Sequence, residues 1–411
     1  MTGPVTACRS CGGRLTITMA DLGMQPPSNA FLASLAEAAG EKRYPLRAKV
    51  CEVCKLVQVD YDVAPEELFG NYVYFSSYSV EWLAHAERYA DMARRRFNLD
   101  SESLVVELAS NDGYLLKNFL KMGIPVLGID PSDTVARAAE SIGVPTLVEF
   151  FGETLARKLV SEGRGADLIV GNNVLAHVPQ LNDFVAGIAA LLKPRGTVTI
   201  EFPHLLKLIE HVEFDTIYHE HYSYLSLTAV EHVFSRHGLF VYDAEELPTH
   251  GGSLRVFASH TQRAELTDSL RRLRAQEAAA GLDKLDTYRR FADRVQACRR
   301  SLLDFLARAK REAKWVAAYG AAAKGNTLLN FCAVTREDIA LVADLNPHKQ
   351  GKLLPGTHIP VVSPEALMES RPDYVLILPW NLQHEIRRQL AGIRVWGGRF
   401  VTAVPQVAVD P

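Results

Sequence analysis

Between residues 104 and 260 short apolar runs alternate with amphipathic stretches. LVVEL, VLGID, DLIVG and TVTIEF are β-branched runs of strand length, and KNFLKMG, SDTVARAAESIG and LNDFVAGIAALLK between them carry apolar positions at helical spacing. This strand–helix order predicts a parallel sheet covered on both faces. Ahead of it, residues 80–97 place Leu83, Ala86, Tyr89 or Ala90, and Ala93 on one helical face. After it, 262–312 is charged, Ala- and Arg-rich and helically spaced. It predicts one or two connecting helices with a solvated face rather than a basic nucleic-acid surface. The α/β alternation returns over 314–404 in KWVAAYG, a helix through Leu328, IALVAD, YVLILP, a helix near 381–390 and RFVTAVP. Residues 1–75 follow neither pattern and are rich in turn formers, with Gly12-Gly13 and Pro26-Pro27. The expected organisation is α/β in class, with an N-terminal unit (1–75), a central unit (76–261), a helical connector (262–313) and a smaller C-terminal α/β unit (314–411).

Composition adds exclusions. The 411 residues are 48% hydrophobic and 23% charged, the balance of a globular chain of two or three domains. A formal charge of −3 gives no electrostatic reason to expect nucleic acid or an anionic membrane as partner. No run reaches the ~18–20 apolar residues of a membrane span, and MTGPVTACRSCGG lacks the layout of a secretory signal, so a cytoplasmic protein is expected. The oligomeric state stays open, a monomer included.

Four of the six cysteines fall into two pairs, Cys8-x-x-Cys11 and Cys51-x-x-Cys54. Two such turns supply the tetrahedral thiolate shell of a zinc ion, and a full shell leaves the metal a structural role. The stretch between the pairs exceeds the ~15–20 residues of a standard ribbon, so it must carry structure of its own. A redox dithiol is the rival, but such motifs come singly before a helix. Cys298 and Cys332 read as small buried hydrophobes.

In the central unit Glu107 closes the first strand, and a loop with Ser110, Asn111 and Gly113 leads into a helix. The next strand ends in Asp130, placed to take both hydroxyls of a ribose. The loop lacks the GxGxxG cradle for a pyrophosphate, so a cofactor with ribose and no phosphate is expected: S-adenosylmethionine. Phe150 and Phe151 could form an adenine pocket or simply pack in the core. Asn172, at the end of the fourth strand, joins the cofactor candidates, and His177 follows where methyltransferase sheets place substrate-facing residues. The central unit is accordingly expected to be a Rossmann-like class I methyltransferase domain.

After the fifth strand comes Phe214-Asp215-Thr-Ile-Tyr218-His219-Glu220-His221-Tyr222-Ser-Tyr224. An H-x-H metal site and a purely structural cluster are two readings of it. The third is a group of side chains that removes and relays a proton at neutral pH. In the C-terminal unit Lys324, with the backbone N–H groups of YGAAAKGNT, could hold a diphosphate or merely close a turn. Asp344, Asn346 and Asn381 also end strands.

The four-cysteine site, ELASNDGYLL, NNVLAHV, EFDTIYHEHYSYLSL, HGGSLRVF (250–257) and YGAAAKGNTLLN (319–330) together resemble the bacterial sugar C-methyltransferases of deoxysugar and antibiotic biosynthesis, including the 3-C-methyltransferases of the tetronitrose and mycarose type. The resemblance spans nearly the whole chain. It implies a zinc domain, an S-adenosylmethionine domain and a C-terminal α/β domain closing over a nucleotide-linked 4-keto-6-deoxysugar, with dTDP as the expected nucleotide. It makes His221 the general base with Glu220 beside it, and places His177, Tyr218 and Tyr72 around the keto sugar. Tyr74, Tyr222, Lys324, Asn326, Thr327, Asp344, Asn346 and Asn381 become substrate contacts. A 4-keto group acidifies C3 and C5; C3 is the expected position, and C5 the alternative. A non-catalytic nucleotide-sugar binding module and an oxygen- or nitrogen-methyltransferase complete the readings, and the latter would need no base for a carbon acid.

Overall fold

The computed structural model describes residues 2–69, 76–262 and 266–410. The N-terminal unit is built on β1 (Ile17–Gln25), β2 (Tyr44–Val50) and β3 (Val57–Val59), an antiparallel meander whose inward residues Met19, Leu46, Ala48, Val50 and Val59 are fully buried. Helix α1 (Val80–Phe97) leads into the central sheet and is capped by Ser79, whose side chain accepts from the Trp82 amide. That sheet contains β4 (Val105–Leu108), β5 (Val126–Ile129), β6 (Thr146–Leu147), β7 (Ala166–Asn172) and β8 (Leu192–Pro203). With the later β10 (Phe240–Leu247) and β11 (Ser253–Ser259) it has seven strands in the order β10-β11-β8-β7-β4-β5-β6, with β11 antiparallel to both neighbours. The order reverses between β4 and β7, the place where an open α/β sheet leaves a crevice at its carboxyl edge.

The two-residue β9 (Ser223–Tyr224) lies between β8 and β10 in the chain but leaves the central sheet and pairs with β3, extending the N-terminal meander to four strands. The Tyr–His–Glu–His segment before it is thereby wedged between two units: the Tyr222 amide donates to the Ala176 carbonyl and the Tyr222 carbonyl accepts from Val59.

Residues 262–313 hold α2 (Asp268–Ala279) and α3 (Leu285–Arg311). The apolar face of α3, with Tyr288, Phe291, Val295, Leu302 and Phe305, joins a single core with Met19 and Leu46 of the N-terminal sheet and with Val316, Leu328 and Leu376 further on. The C-terminal sheet, β14-β13-β12-β15-β16-β17, comprises β12 (Val316–Tyr319), β13 (Val342–Ala343), β14 (Val361–Val362), β15 (Tyr374–Ile377), β16 (Arg399–Thr402) and β17 (Ala408–Val409). Helix α4 (Ala323–Phe331) crosses from β12 towards β13. Among the described residues no helix is long and apolar enough to cross a membrane.

Candidate active site

The thiol groups of Cys8, Cys11, Cys51 and Cys54 all lie within 4.8 Å of one another. The Cys8–Cys54 and Cys11–Cys51 sulfurs are 3.5 and 3.4 Å apart, against the ~3.8 Å edge of a tetrahedron with ~2.3 Å Zn–S bonds. Both Cys-x-x-Cys turns close alike, the Gly12 amide donating to the Cys8 carbonyl and Lys55 to Cys51. Gly13 is required there, because a Cβ would lie 2.9 Å from Cys51 Sγ. Among the described residues the set consists of these four sulfurs, which suits a closed structural zinc.

At the carboxyl edge of the central sheet the loop after β4 turns sharply, with positive φ at Ala109, Asn111 and Gly113. At Gly113 a Cβ would press on Val144 and Ala139, and at Gly128 one would overlap the Ser110 hydroxyl, so both glycines are required by space. Asp130 anchors the loop by accepting from the Asn111 and Ser132 amides at 3.0 and 2.9 Å. Glu107 is fully buried, and burial pushes its carboxyl well above the usual range against the pull of the Tyr114 hydroxyl. The Ser110 hydroxyl is also buried, with no hydrogen-bond partner. A buried carboxyl and an unpartnered hydroxyl suit a cationic, hydroxyl-bearing ligand, which would return Glu107 to its charged form. Asn172 donates to the Tyr114 hydroxyl at 3.4 Å at the same edge. Phe150 stands 58% exposed just beyond β6, whereas Phe151 packs edge-on to Phe184 at 5.4 Å and belongs to the core. Asp130→Ala removes the carboxylate that accepts from the Asn111 and Ser132 amides and so loosens the loop. It is expected to weaken S-adenosylmethionine binding roughly 10- to 100-fold in calorimetric titration while leaving the fold intact.

His177 and the 218–224 segment meet in front of this crevice. The His177 and His221 ring centroids are 4.7 Å apart and Tyr218 lies over His221 at 4.1 Å. His221 Nδ1 donates to the Thr216 carbonyl at 3.0 Å, which leaves Nε2 as the acceptor nitrogen of the neutral ring. His177 Nδ1 donates to the Glu220 carbonyl at 2.7 Å, and burial lowers its pKa to about 4, so it is neutral at physiological pH. Burial pushes the Glu220 carboxyl up to about 7, against the pull of the Asn29 amide, which contacts both its oxygens. His219 turns away to the Pro45 carbonyl at 3.3 Å, so the H-x-H pair does not converge on a metal. Among the described residues the cysteine quartet is the cluster with metal-ligand geometry.

The structure places several of the expected substrate contacts in packed surroundings. Tyr222 is fully buried, donates its hydroxyl to the Val63 carbonyl at 2.6 Å and lies under the Arg9 guanidinium. Asn326 and Thr327 are also buried and face Ser28, at 3.4 Å to its carbonyl and 3.3 Å to its hydroxyl. Lys324 does stand at the carboxyl edge of the C-terminal sheet, with Nζ 2.8 Å from Asn381 Oδ1 and 4.5 Å from the Trp380 ring centroid. Burial lowers its pKa while Asp215 and Glu213 hold it up. Asp344 accepts from the Ala321 and Asn346 amides, repeating the arrangement of Asp130, and the Asn346 side chain caps the His348 amide. Tyr72 and Tyr74 lie outside the described residues.

Sequence reading passed over Asn29, Arg9 and the buried carboxylates Glu213 and Asp215. Pro26-Pro27 signalled a turn but nothing local showed that Asn29 would reach Glu220, which is distant in the chain. Asp215 accepts from Trp380 Nε1 at 2.8 Å and so ties the segment before Tyr218 to the C-terminal unit.

Three family models match in succession: a "Putative zinc binding domain" over residues 8–69, a "Methyltransferase domain" over 82–244 and a "C-methyltransferase C-terminal domain" over 248–405. The class is therefore an S-adenosylmethionine-dependent methyltransferase carrying a structural zinc. Over 407 residues, 99% of this chain and 97% of the relative, the sequence is 34% identical to C-methyltransferase NovU of Streptomyces niveus. The chain belongs to this family of zinc-domain C-methyltransferases. A shorter similarity, 27% over 148 residues, links 31% of the chain to 58% of a ubiquinone biosynthesis O-methyltransferase of Rhodopseudomonas palustris. Among solved structures, the PH0226 protein of Pyrococcus horikoshii aligns over 47% of this chain and 98% of its own at 18% identity, with a TM-score of 0.38.

Proposed function

We propose that this C-methyltransferase acts on a nucleotide-linked 4-keto-6-deoxysugar, with dTDP as the nucleotide, and methylates C3. The observation that carries the reading is the tautomer of His221: with Nδ1–H held by Thr216, the neutral ring offers Nε2 as a base beside Tyr218 and His177. Carbon becomes nucleophilic towards a methyl donor once a proton is removed next to a ketone. The C3–H proton goes to His221 Nε2, the bonding pair moves into the C3–C4 bond, and the negative charge settles on the 4-oxygen. Tyr218 supplies a donor at that oxygen, worth roughly 3–4 kcal/mol in comparable oxyanion sites, while neutral His177, its one N–H given to the Glu220 carbonyl, lines the pocket beside His221. When bound, S-adenosylmethionine supplies an electrophilic methyl group. Glu107, Ser110, Asp130 and Asn172 hold this cofactor, and Lys324, Asn381, Asp344 and Asn346 receive the nucleotide end of the sugar. Tyr72 and Tyr74 are assigned to the same pocket on the resemblance alone. The same base would serve C5 in a different sugar pose.

The test is incubation of the enzyme with dTDP-4-keto-6-deoxysugars and S-adenosylmethionine in deuterated water, read by mass spectrometry and NMR. A gained methyl group on C3 is the expected result. Methylation on C5 would correct the position, and deuterium uptake alone would retain the base but reject that sugar. Neither exchange nor methylation across several sugars and nucleotides would favour the binding module, and a methyl on oxygen or nitrogen would overturn the carbon-acid mechanism.

A further inference from the structure

Glu220 is a buried carboxylate in the proton-handling cluster, and its partner comes from another unit. Asn29 Nδ2 lies 3.2 Å from Oε1 and 3.1 Å from Oε2. An ionised carboxylate only accepts, so the amide presents its N–H group, and donation of this kind favours the charged form. Asn29 sits in a tight turn, the Ala30 amide donating to Pro27 and Phe31 to Asn29 itself. The turn is fastened to the C-terminal unit on both sides. Ser28 meets Thr327 and Asn326 on α4, and Leu32 exchanges backbone hydrogen bonds with Leu353 at 3.1 and 2.8 Å.

We propose that Asn29 is the positioning residue of Glu220, holding the carboxylate ionised beside His221, and that α4 of the C-terminal unit holds Asn29 in place through Ser28. An ionised Glu220, next in the chain to His221, stabilises through space the imidazolium formed when His221 takes a proton, whose Nδ1–H is already held by the Thr216 carbonyl. The titratable groups whose charge interacts with the Glu220 carboxylate are the Tyr222 and Tyr224 phenols, with the Arg9 guanidinium behind Tyr222; His177 meets its backbone carbonyl and His221 follows it in the chain. Burial pushes both phenols well up, so they stay neutral, and His177 is neutral too; the Asn29 amide is thus the nearest adjustable influence on this carboxylate. The inference rests on His221 being the base of the proposed reaction.

The experiment compares kcat from about pH 5.5 to about pH 9 for the parent enzyme, Asn29→Ala, the isosteric Asn29→Asp and Asn326→Ala. Zinc content and S-adenosylmethionine affinity confirm that each variant is folded. Losing the donor should move the acid limb of Asn29→Ala up by about one pH unit, a roughly tenfold loss near pH 6.5 that recovers at high pH. Asn29→Asp adds a like charge and should move the limb further, which decides the matter should Asn29→Ala not fold. Asn326→Ala should shift it the same way by less. Profiles that keep their midpoint, whatever their amplitude, would overturn the proposal. A substrate-free readout separates its failure from failure of the proposed reaction. In carbon-13 glutamate-labelled protein, the signal lost in Glu220→Gln should titrate near 7 in the parent and higher in Asn29→Ala. An unchanged midpoint there overturns the role of Asn29 even if no sugar is ever methylated, and a shifted midpoint with no methylation retains it while rejecting the substrate.

Discussion

Replacing His221 by asparagine should reduce both methyl transfer and substrate deuterium exchange by about 10²–10⁴-fold, the range that a positioned general base contributes, while S-adenosylmethionine affinity stays unchanged. The asparagine amide can still donate to the Thr216 carbonyl that holds the ring at 3.0 Å, so the segment keeps its shape and loses only the basic nitrogen. The cofactor loop is anchored on Asp130, away from this ring, which is why binding should survive. Exchange is the sharper readout because it needs the base and not the methyl donor. A variant retaining activity within tenfold of the parent would remove His221 from the role. Glu220 would then be the next candidate, since burial already brings its carboxyl to about 7, whereas His177 at about 4 is too weak a base. An enzyme acting on a heteroatom should tolerate the change, so this variant also separates carbon from oxygen or nitrogen methylation.

The central sheet and the cofactor edge were legible in the sequence because their determinants are local. Strand ends at Glu107 and Asp130 and the turn at Gly113 follow from runs of a few residues, and the loop geometry requires those residue types. The cysteine pairs were legible for the same reason. What sequence could not show was the direction a side chain faces. Tyr222 and Tyr224 are alike by type and flank one serine, yet the Tyr222 hydroxyl is committed to Val63 whereas that of Tyr224 turns to the backbone of Tyr218. Asn326 and Thr327 stand at the start of a helix beside Lys324, as a ligand-binding turn would, but the packing of α4 against the N-terminal unit turns them onto Ser28. Asn29 was invisible because its significance is a contact with a residue far along the chain. The long helix α3 shows the opposite limit. Its charged face was readable, but its apolar face was not a sign of a connector; it fills the core shared by the N- and C-terminal sheets.

The zinc site lies away from the reacting groups, yet its loss is expected to abolish catalysis along a traceable route. Arg9 sits inside the first Cys-x-x-Cys turn and donates to both oxygens of Asp62, at 3.2 and 2.7 Å, and to the Pro179 carbonyl at 3.1 Å. Its guanidinium also lies 5.5 Å from the Tyr222 ring centroid, and Asn182 donates back to the Arg9 and Ser10 carbonyls at 2.9 and 2.8 Å. The turn thus grips the chain on both sides of the site, two residues beyond His177 and one beyond His221. Binding of a structural zinc contributes on the order of 10–16 kcal/mol in small zinc domains, comparable to the whole ~5–15 kcal/mol stability of a typical protein. Cys54→Ser should therefore empty the site by elemental analysis, expose the 8–69 region to limited proteolysis and reduce methyl transfer at least ~10²-fold, a floor set by the loss of general-base geometry alone. S-adenosylmethionine binding should decline less, because the cofactor loop is anchored locally by Asp130 on the Asn111 and Ser132 amides, although Cys8, Cys51 and Cys54 pack into the same core as Val106, Leu127 and Ile169. Arg9→Ala separates the metal from its reach. It should keep zinc and protease resistance near the parent's while lowering kcat, and a parent-like kcat in this variant would confine the metal's influence to folding the N-terminal sheet.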